Sequence, residues 1–246
     1  KHNYFAASPD SVGDTVGEAL ALAGEGRPGP TLVDLPKDVT LGDTDTEPGP
    51  AEPPETTRPQ YVADQQNVAT AAAAVEAAQR PLLLFGGGVI KADATAEARS
   101  FARDLEIPVV TTMPGIGSFP EDDDLCLSWA GMHGTGYANM AITHTDLLIA
   151  VGTRFDDRLT GGVDTFAPEA EVIHIDIDPA EISKNVHADY PLIGDAGTVL
   201  DQLHDTVDAA PDADEWREQC IAWKHDYPMD YATPDDEPLK PQFVVE

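Results

Sequence analysis

Basic residues are scarce in this chain: 14 Lys and Arg stand against 45 Asp and Glu, for a formal net charge of −31. A nucleic-acid-binding role is disfavoured, because a phosphate backbone needs a basic footprint to displace its counterions. Only six residues are lysine, and the acids are dispersed rather than gathered in a tail. Such a surface suits a protein working in concentrated salt, where screening removes its self-repulsion. An acidic face built for one cationic partner would be clustered. Cysteine is nearly absent: Cys126 and Cys220 form neither a CxxC pair nor a framework, which predicts a disulfide-free chain of cytoplasmic type. No apolar run reaches the length of a membrane span and no signal peptide is evident, so no membrane association is expected. The chain opens on Lys1 rather than Met, inside what reads as an ordered element, and is expected to be a fragment of a longer protein. Its 246 residues are still enough to bury a sizeable core.

What is present divides into four stretches. In residues 1–45, Val12, Val16, Ala19, Leu20 and Ala23 recur at helical spacing, Gly24 and Gly26 end that helix, and Thr31–Leu35 reads as a short strand. This is expected to be the end of a preceding domain. Residues 46–60 are a Pro-rich linker. Residues 61–207 alternate helix and strand, which predicts an α/β domain: an open parallel sheet with helices on both faces, Rossmann-like. An Ala-rich helix over 65–79 precedes strands at Leu82–Phe85, Ile107–Val110, Leu147–Val151, Glu171–Asp176 and Leu192–Ile193, and a last helix follows near Gly197–Val207. Residues 208–246 are a connector, with Trp216, Cys220, Trp223 and Tyr227 on one face of a helix.

The chain is organised around Gly131–Asn139, a Gly-rich turn opening a helix, and the buried strand Leu147–Val151, which empties into a loop holding Arg154, Asp156, Asp157 and Arg158. Two of the few arginines in one loop at a strand's C-terminal end predict an anion or diphosphate to be held, since open α/β sheets bind ligands at that edge. The bland alternative is a surface turn whose Asp and Arg pair with each other. Gly86-Gly-Gly88 invites close approach of a phosphate to the backbone. It is a poor dinucleotide fingerprint, because Lys91 replaces the third glycine and the second strand ends in Thr111-Thr112 rather than an acid, so an NAD dehydrogenase is disfavoured. His174, Asp176 and Asp178 alternate, but a metal site is disfavoured for want of a fourth ligand. Asp178, with Pro179 and Glu181, reads instead as a helix N-cap. Asp176 is expected to be a free carboxylate for sugar hydroxyls, as is Asp195, and His174 a packed or hydrogen-bonded strand residue. His133 lacks an orienting partner for base catalysis and suits contact with a flat cofactor.

Gly131-Met-His-Gly-Thr135, Arg154-Phe-Asp-Asp-Arg-Leu-Thr-Gly161 and His174-Ile-Asp-Ile-Asp-Pro-Ala-Glu-Ile182 closely resemble the middle domain of acetolactate synthase catalytic subunits, and the resemblance covers nearly the whole chain. It implies thiamine diphosphate and Mg²⁺ chemistry on two 2-oxo acids in the full-length protein, with FAD held, without net redox chemistry, largely by this segment. It implies flavin contacts at Arg27, Gly86, Gly87, Gly88, Thr112, Met132, His133, Gly134, Gly152, Arg154, Asp156, Arg158, Asp176, Ile177, Asp195 and Ala196. A substrate channel is implied at Lys37, Met132, Asp157 and Arg158. No metal ligand or catalytic residue is expected within the segment, since the activating Glu and the metal motif would lie outside it. Assembly is expected as a homodimer or homotetramer, with a small regulatory subunit as a further partner. Pro114 and Gly136 depart from the family pattern and are expected to loosen packing near the flavin. The rivals are glyoxylate carboligase or pyruvate oxidase on the same scaffold, and a non-catalytic nucleotide-binding module.

Overall fold

The computed structural model describes residues 1–46, 61–229 and 241. The linker and the end of the connector therefore fall largely outside the described residues. The chain forms two compact units, Lys1–Tyr61 and Val62–Glu246.

The first unit contains β1 (Asn3–Phe5), α1 (Val12–Gly24), β2 (Leu32–Asp34) and α2 (Lys37–Leu41). β1 and β2 pair in parallel. The helix expected from the Val12–Ala23 spacing is present, but within it Ala19 is the buried residue and Leu20 is exposed.

The second unit runs α3 (Gln65–Ala77), β3 (Pro81–Phe85), α4 (Gly87–Lys91), α5 (Thr95–Asp104), β4 (Val109–Thr111), β5 (Cys126–Trp129), α6 (Gly136–His144), β6 (Leu147–Val151), α7 (Asp157–Thr160), β7 (Glu171–Asp176), β8 (Tyr190–Ile193), α8 (Ala196–Thr206) and α9 (Asp214–Asp226). Its six strands form one parallel sheet in the order β5-β4-β3-β6-β7-β8. β3 and β6 are fully buried and apolar throughout, as a sheet covered on both faces requires.

Alternation along the strands divides the core in two. Leu83, Phe85, Ile149, Val151, Ile173 and Ile175 face α3, α5 and α8. Leu82, Leu84, Val110, Leu148, Ala150 and Val172 face α6 and α9. The expected three-layer α/β architecture is therefore the observed one. α9 joins it through Trp216, whose Nε1–H donates to Pro81 O at 3.0 Å, and through the buried Cys220. Tyr227 is exposed instead of lying on that packed face. Both cysteines are free and buried, and burial pushes the Cys220 thiol up to about 12. No described helix is long and apolar enough to cross a membrane.

Three local expectations are corrected. The second strand lies at Val109–Thr111, further along than Ile107–Val110. β5 was not expected; Ser128 adopts φ 62° within it, and the pairing with β4 is irregular there. After Asp178 there is no helix but a run of turns, with Ala180 N donating to Asp178 Oδ1 and Glu181 N to Asp178 O.

Candidate functional site

The loops leaving the C-terminal ends of the parallel strands share one edge of the sheet. Strand order reverses between β3 and β6, so the crevice between their exit loops is where an open α/β sheet takes a ligand.

The two loops cross in backbone contact. Gly86 N donates to Val151 O at 2.8 Å and Gly88 N to Gly152 O at 2.9 Å. A Cβ on Gly86 would lie 2.2 Å from Gly152 O, and one on Gly88 would lie 2.5 Å from Gly152 Cα. The strand-loop crossing therefore requires glycine at 86, 88 and 152, and it already uses the Gly86 and Gly88 N–H groups. A Cβ on Gly87 would meet Pro114 Cβ at 3.0 Å. Pro114 thus closes the space beside Gly87 rather than loosening it. Gly136, on the open side of α6, has only Tyr227 Cβ near its missing side chain, at 3.9 Å.

The loop after β6 is held from outside itself. His174 is fully buried on β7 and its Nε2 lies 2.9 Å from Thr153 O. A carbonyl only accepts, so Nε2 carries the proton; burial lowers the pKa of the imidazole and keeps it neutral. Phe155 adopts φ 50° and is packed edge-on against His174 and Phe166. Asn185 Nδ2 donates to Arg154 O at 3.0 Å and to Phe155 O at 3.1 Å. Neither His174 nor Asn185 was legible as a support in the sequence, because their partners are backbone carbonyls about twenty to thirty positions away.

This support leaves the two arginines presented. Arg154 and Arg158 are exposed, and among the described residues neither guanidinium has an ion pair. Arg158 Nη1 lies 3.9 Å from Met132 Sδ. Arg80, Arg103 and Arg217 all pair with carboxylates. The self-paired surface turn is thus not what forms: Asp156 caps α7 by accepting from Arg158 N at 3.2 Å, and Asp157 is exposed.

The Gly131–Gly134 turn is fixed by Asn139, whose side chain accepts from Gly131 N at 2.8 Å and donates to Gly131 O at 3.0 Å. Trp129 Nε1–H donates to His133 O at 2.9 Å, and the His133 and Met132 side chains are exposed. Thr112 is buried, and its neighbour Thr111 has a buried hydroxyl without a partner among the described residues.

The carboxylates are less available than expected. Asp176 is buried, and its Oδ1 accepts from Asp178 N at 2.9 Å; it is not free. Asp195 caps α8, with Oδ1 accepting from Thr198 N and Oγ1. Ile177 is half-buried and Ala196 buried. Among the described residues no group of three His, Cys, Asp or Glu could hold a metal. Arg27 and Lys37 belong to the first unit, where both are exposed. Arg99 donates to Ser118 O at 3.2 Å and to Gly117 O at 3.1 Å. It pins the loop after β4.

The sequence matches the family described as thiamine pyrophosphate enzyme, central domain, over residues 68–203. Over its whole length the chain is 44% identical to the acetolactate synthase large subunit of Corynebacterium glutamicum, of which it covers 40%. It is 42% identical to an acetolactate synthase of Mycobacterium bovis, covering 41% of that protein. It is 45% identical to a probable acetolactate synthase large subunit of Methanocaldococcus jannaschii, covering 42%. The chain therefore spans 40–42% of the length of these relatives.

Proposed function

The chain belongs to the thiamine pyrophosphate enzymes, whose central domain it carries at residues 68–203, and from that premise we propose that it is the FAD-binding core of an acetolactate synthase. The observation that carries the reading is the pair of exposed guanidiniums, Arg154 and Arg158, left without carboxylate partners among the described residues of a chain of net charge −31. Leaving two cations unpaired in such a chain favours an anionic ligand, and a diphosphate suits the planar donor fork of Arg.

The residues present fit FAD in part. Arg154 and Arg158 would hold its diphosphate, and the buried Thr111 hydroxyl at the end of β4 offers an unused donor near the same edge. Asp176 and Asp195, at the ends of β7 and β8, would accept from sugar hydroxyls. Met132 and His133, both exposed, would contact the ring and border the substrate channel with Asp157 and Arg158. FAD bound here would supply no net electron transfer. Thiamine diphosphate and Mg²⁺ would be held by residues outside this segment, and the reaction would join two 2-oxo acids with loss of CO₂. The protein would act in the cytoplasm as a homodimer or homotetramer, with a small regulatory subunit.

The test is purification of the full-length protein followed by flavin analysis and product analysis from pyruvate. We expect bound FAD, and acetolactate formed only with thiamine diphosphate and Mg²⁺. A protein without affinity for FAD sinks the flavin reading; a different condensation product points to a sister enzyme on the same scaffold. The 246-residue chain alone is expected to form no acetolactate.

A further inference from the structure

We propose that Asn185 is a positioning residue that sets Arg154 for the diphosphate of the flavin; this rests on the flavin reading above. Three successive carbonyls after β6 are engaged from outside their loop: Thr153 O by His174 Nε2, and Arg154 O and Phe155 O by Asn185 Nδ2. The amide of Asn185 has two hydrogens, and each has an acceptor. Between them lies Phe155 at φ 50°, a conformation that a bulky residue keeps only where its surroundings over-determine it.

The holder is itself held. Val186, next to Asn185, is buried. Ala188 N donates to Ser183 Oγ at 3.0 Å, and Lys184 pairs with Glu181 at 3.2 Å. The turn-rich segment that replaces the expected helix after Asp178 thus presents one amide to the peptide of Arg154. With its carbonyl drawn toward Asn185, Arg154 has its backbone fixed while its guanidinium stays exposed and free of carboxylates among the described residues. A pre-set cation binds an anion without first ordering its loop, which is where the affinity comes from.

The experiment measures FAD binding to the full-length apoprotein by flavin fluorescence, for wild type, Asn185→Ala, Asn185→Asp, Arg154→Ala and the Asn185→Ala/Arg154→Ala double variant. Melting of each without flavin is recorded alongside. Asn185→Asp keeps the size but removes both donors, and carries the test should Asn185→Ala fail to fold. We expect each Asn185 variant to bind FAD roughly tenfold more weakly, with little change in apoprotein melting. We expect the double variant to bind no more weakly than Arg154→Ala alone, because Asn185 acts through Arg154. Wild-type affinity in the Asn185 variants, or additive losses in the double variant, overturns the proposal. Wild-type protein that takes up no FAD removes the flavin reading itself, and this proposal with it.

Discussion

Met132 and Arg158 are tied twice. Met132 N donates to Arg158 O at 2.8 Å, and Arg158 Nη1 lies 3.9 Å from Met132 Sδ. The loops that carry them leave β5 and β6, which have β4 and β3 between them in the sheet. The contact therefore bridges the ends of two intervening strands and joins both halves of the sheet in one surface.

Gly131 is what lets these loops meet. It adopts φ 107°, and a Cβ there would lie 2.5 Å from Arg158 O. Gly131→Ala should lose about 1–2 kcal/mol to backbone strain and about 1–3 kcal/mol more to overpacking. Gly161→Ala shares the positive φ, at 57°, but meets nothing within 4 Å, so the strain alone should appear. Denaturant midpoints of the two variants check this; equal losses would mean that the loops part freely.

Arg154→Ala should weaken FAD binding by roughly ten- to a hundredfold, since a charge-assisted hydrogen bond is worth about 1.5–3 kcal/mol. The control is Arg103→Ala, in the last turn of α5, whose bonds to the part-buried Asp123 make any effect one on stability rather than on flavin. Arg99 will not serve, because it holds Gly117 and Ser118. Flavin retained on purification is the readout. Equal retention by both variants returns the Arg loop to an ordinary solvated turn.

Much of this fold was legible because its signals are local. Leu82–Phe85 and Leu147–Val151 are continuous apolar runs, and the small residues of α3 and α5 recur at helical spacing, so pattern and burial agree. β5 escaped because Cys126-Leu-Ser-Trp129 is short and its pairing is irregular, so only its neighbour β4 identifies it as a strand. The helix expected at Asp178 had a correct first turn, but Asp178 Oδ1 and O close turns with Ala180 and Glu181 that lead on to Asn185. The site was legible as residue types at strand ends. Which groups were already engaged was not: Asp176, Asp195 and Gly88 read as available, and each has a protein partner.

His174 should make stability depend on pH in a defined sense. Burial lowers its folded-state pKa below 6.5, so the unfolded chain binds the proton more readily. Its contribution is therefore complete above the unfolded pKa and declines as pH falls from there toward the folded value. Replacing it by Gln keeps an N–H for Thr153 O and removes the titration. Melting of wild type and His174→Gln between about pH 8 and 5 shares one carboxylate background, so the difference isolates this residue. We expect the wild type to lose more stability than the variant on acidification; parallel curves would place His174 in contact with water.

Salt should stabilise this protein, and two opposing effects decide the sign. Screening weakens exposed ion pairs such as Arg80–Glu169 and Arg103–Asp123, each worth about 0–1 kcal/mol. It also relieves the mutual repulsion of a chain whose net charge is −31, where most acids have no cation to meet. With the basic residues outnumbered 45 to 14, few attractions are lost for many repulsions removed. At about 1 M salt the Debye length is ~3 Å, so little beyond direct contact survives. Thermal melts in roughly 0.05 M and 1 M KCl span most of that screening. Chloride is the better choice, because sulfate strengthens apolar burial whatever the charge. The midpoint should rise with KCl; a midpoint that stays level or falls would remove the link between this acidic surface and work in concentrated salt.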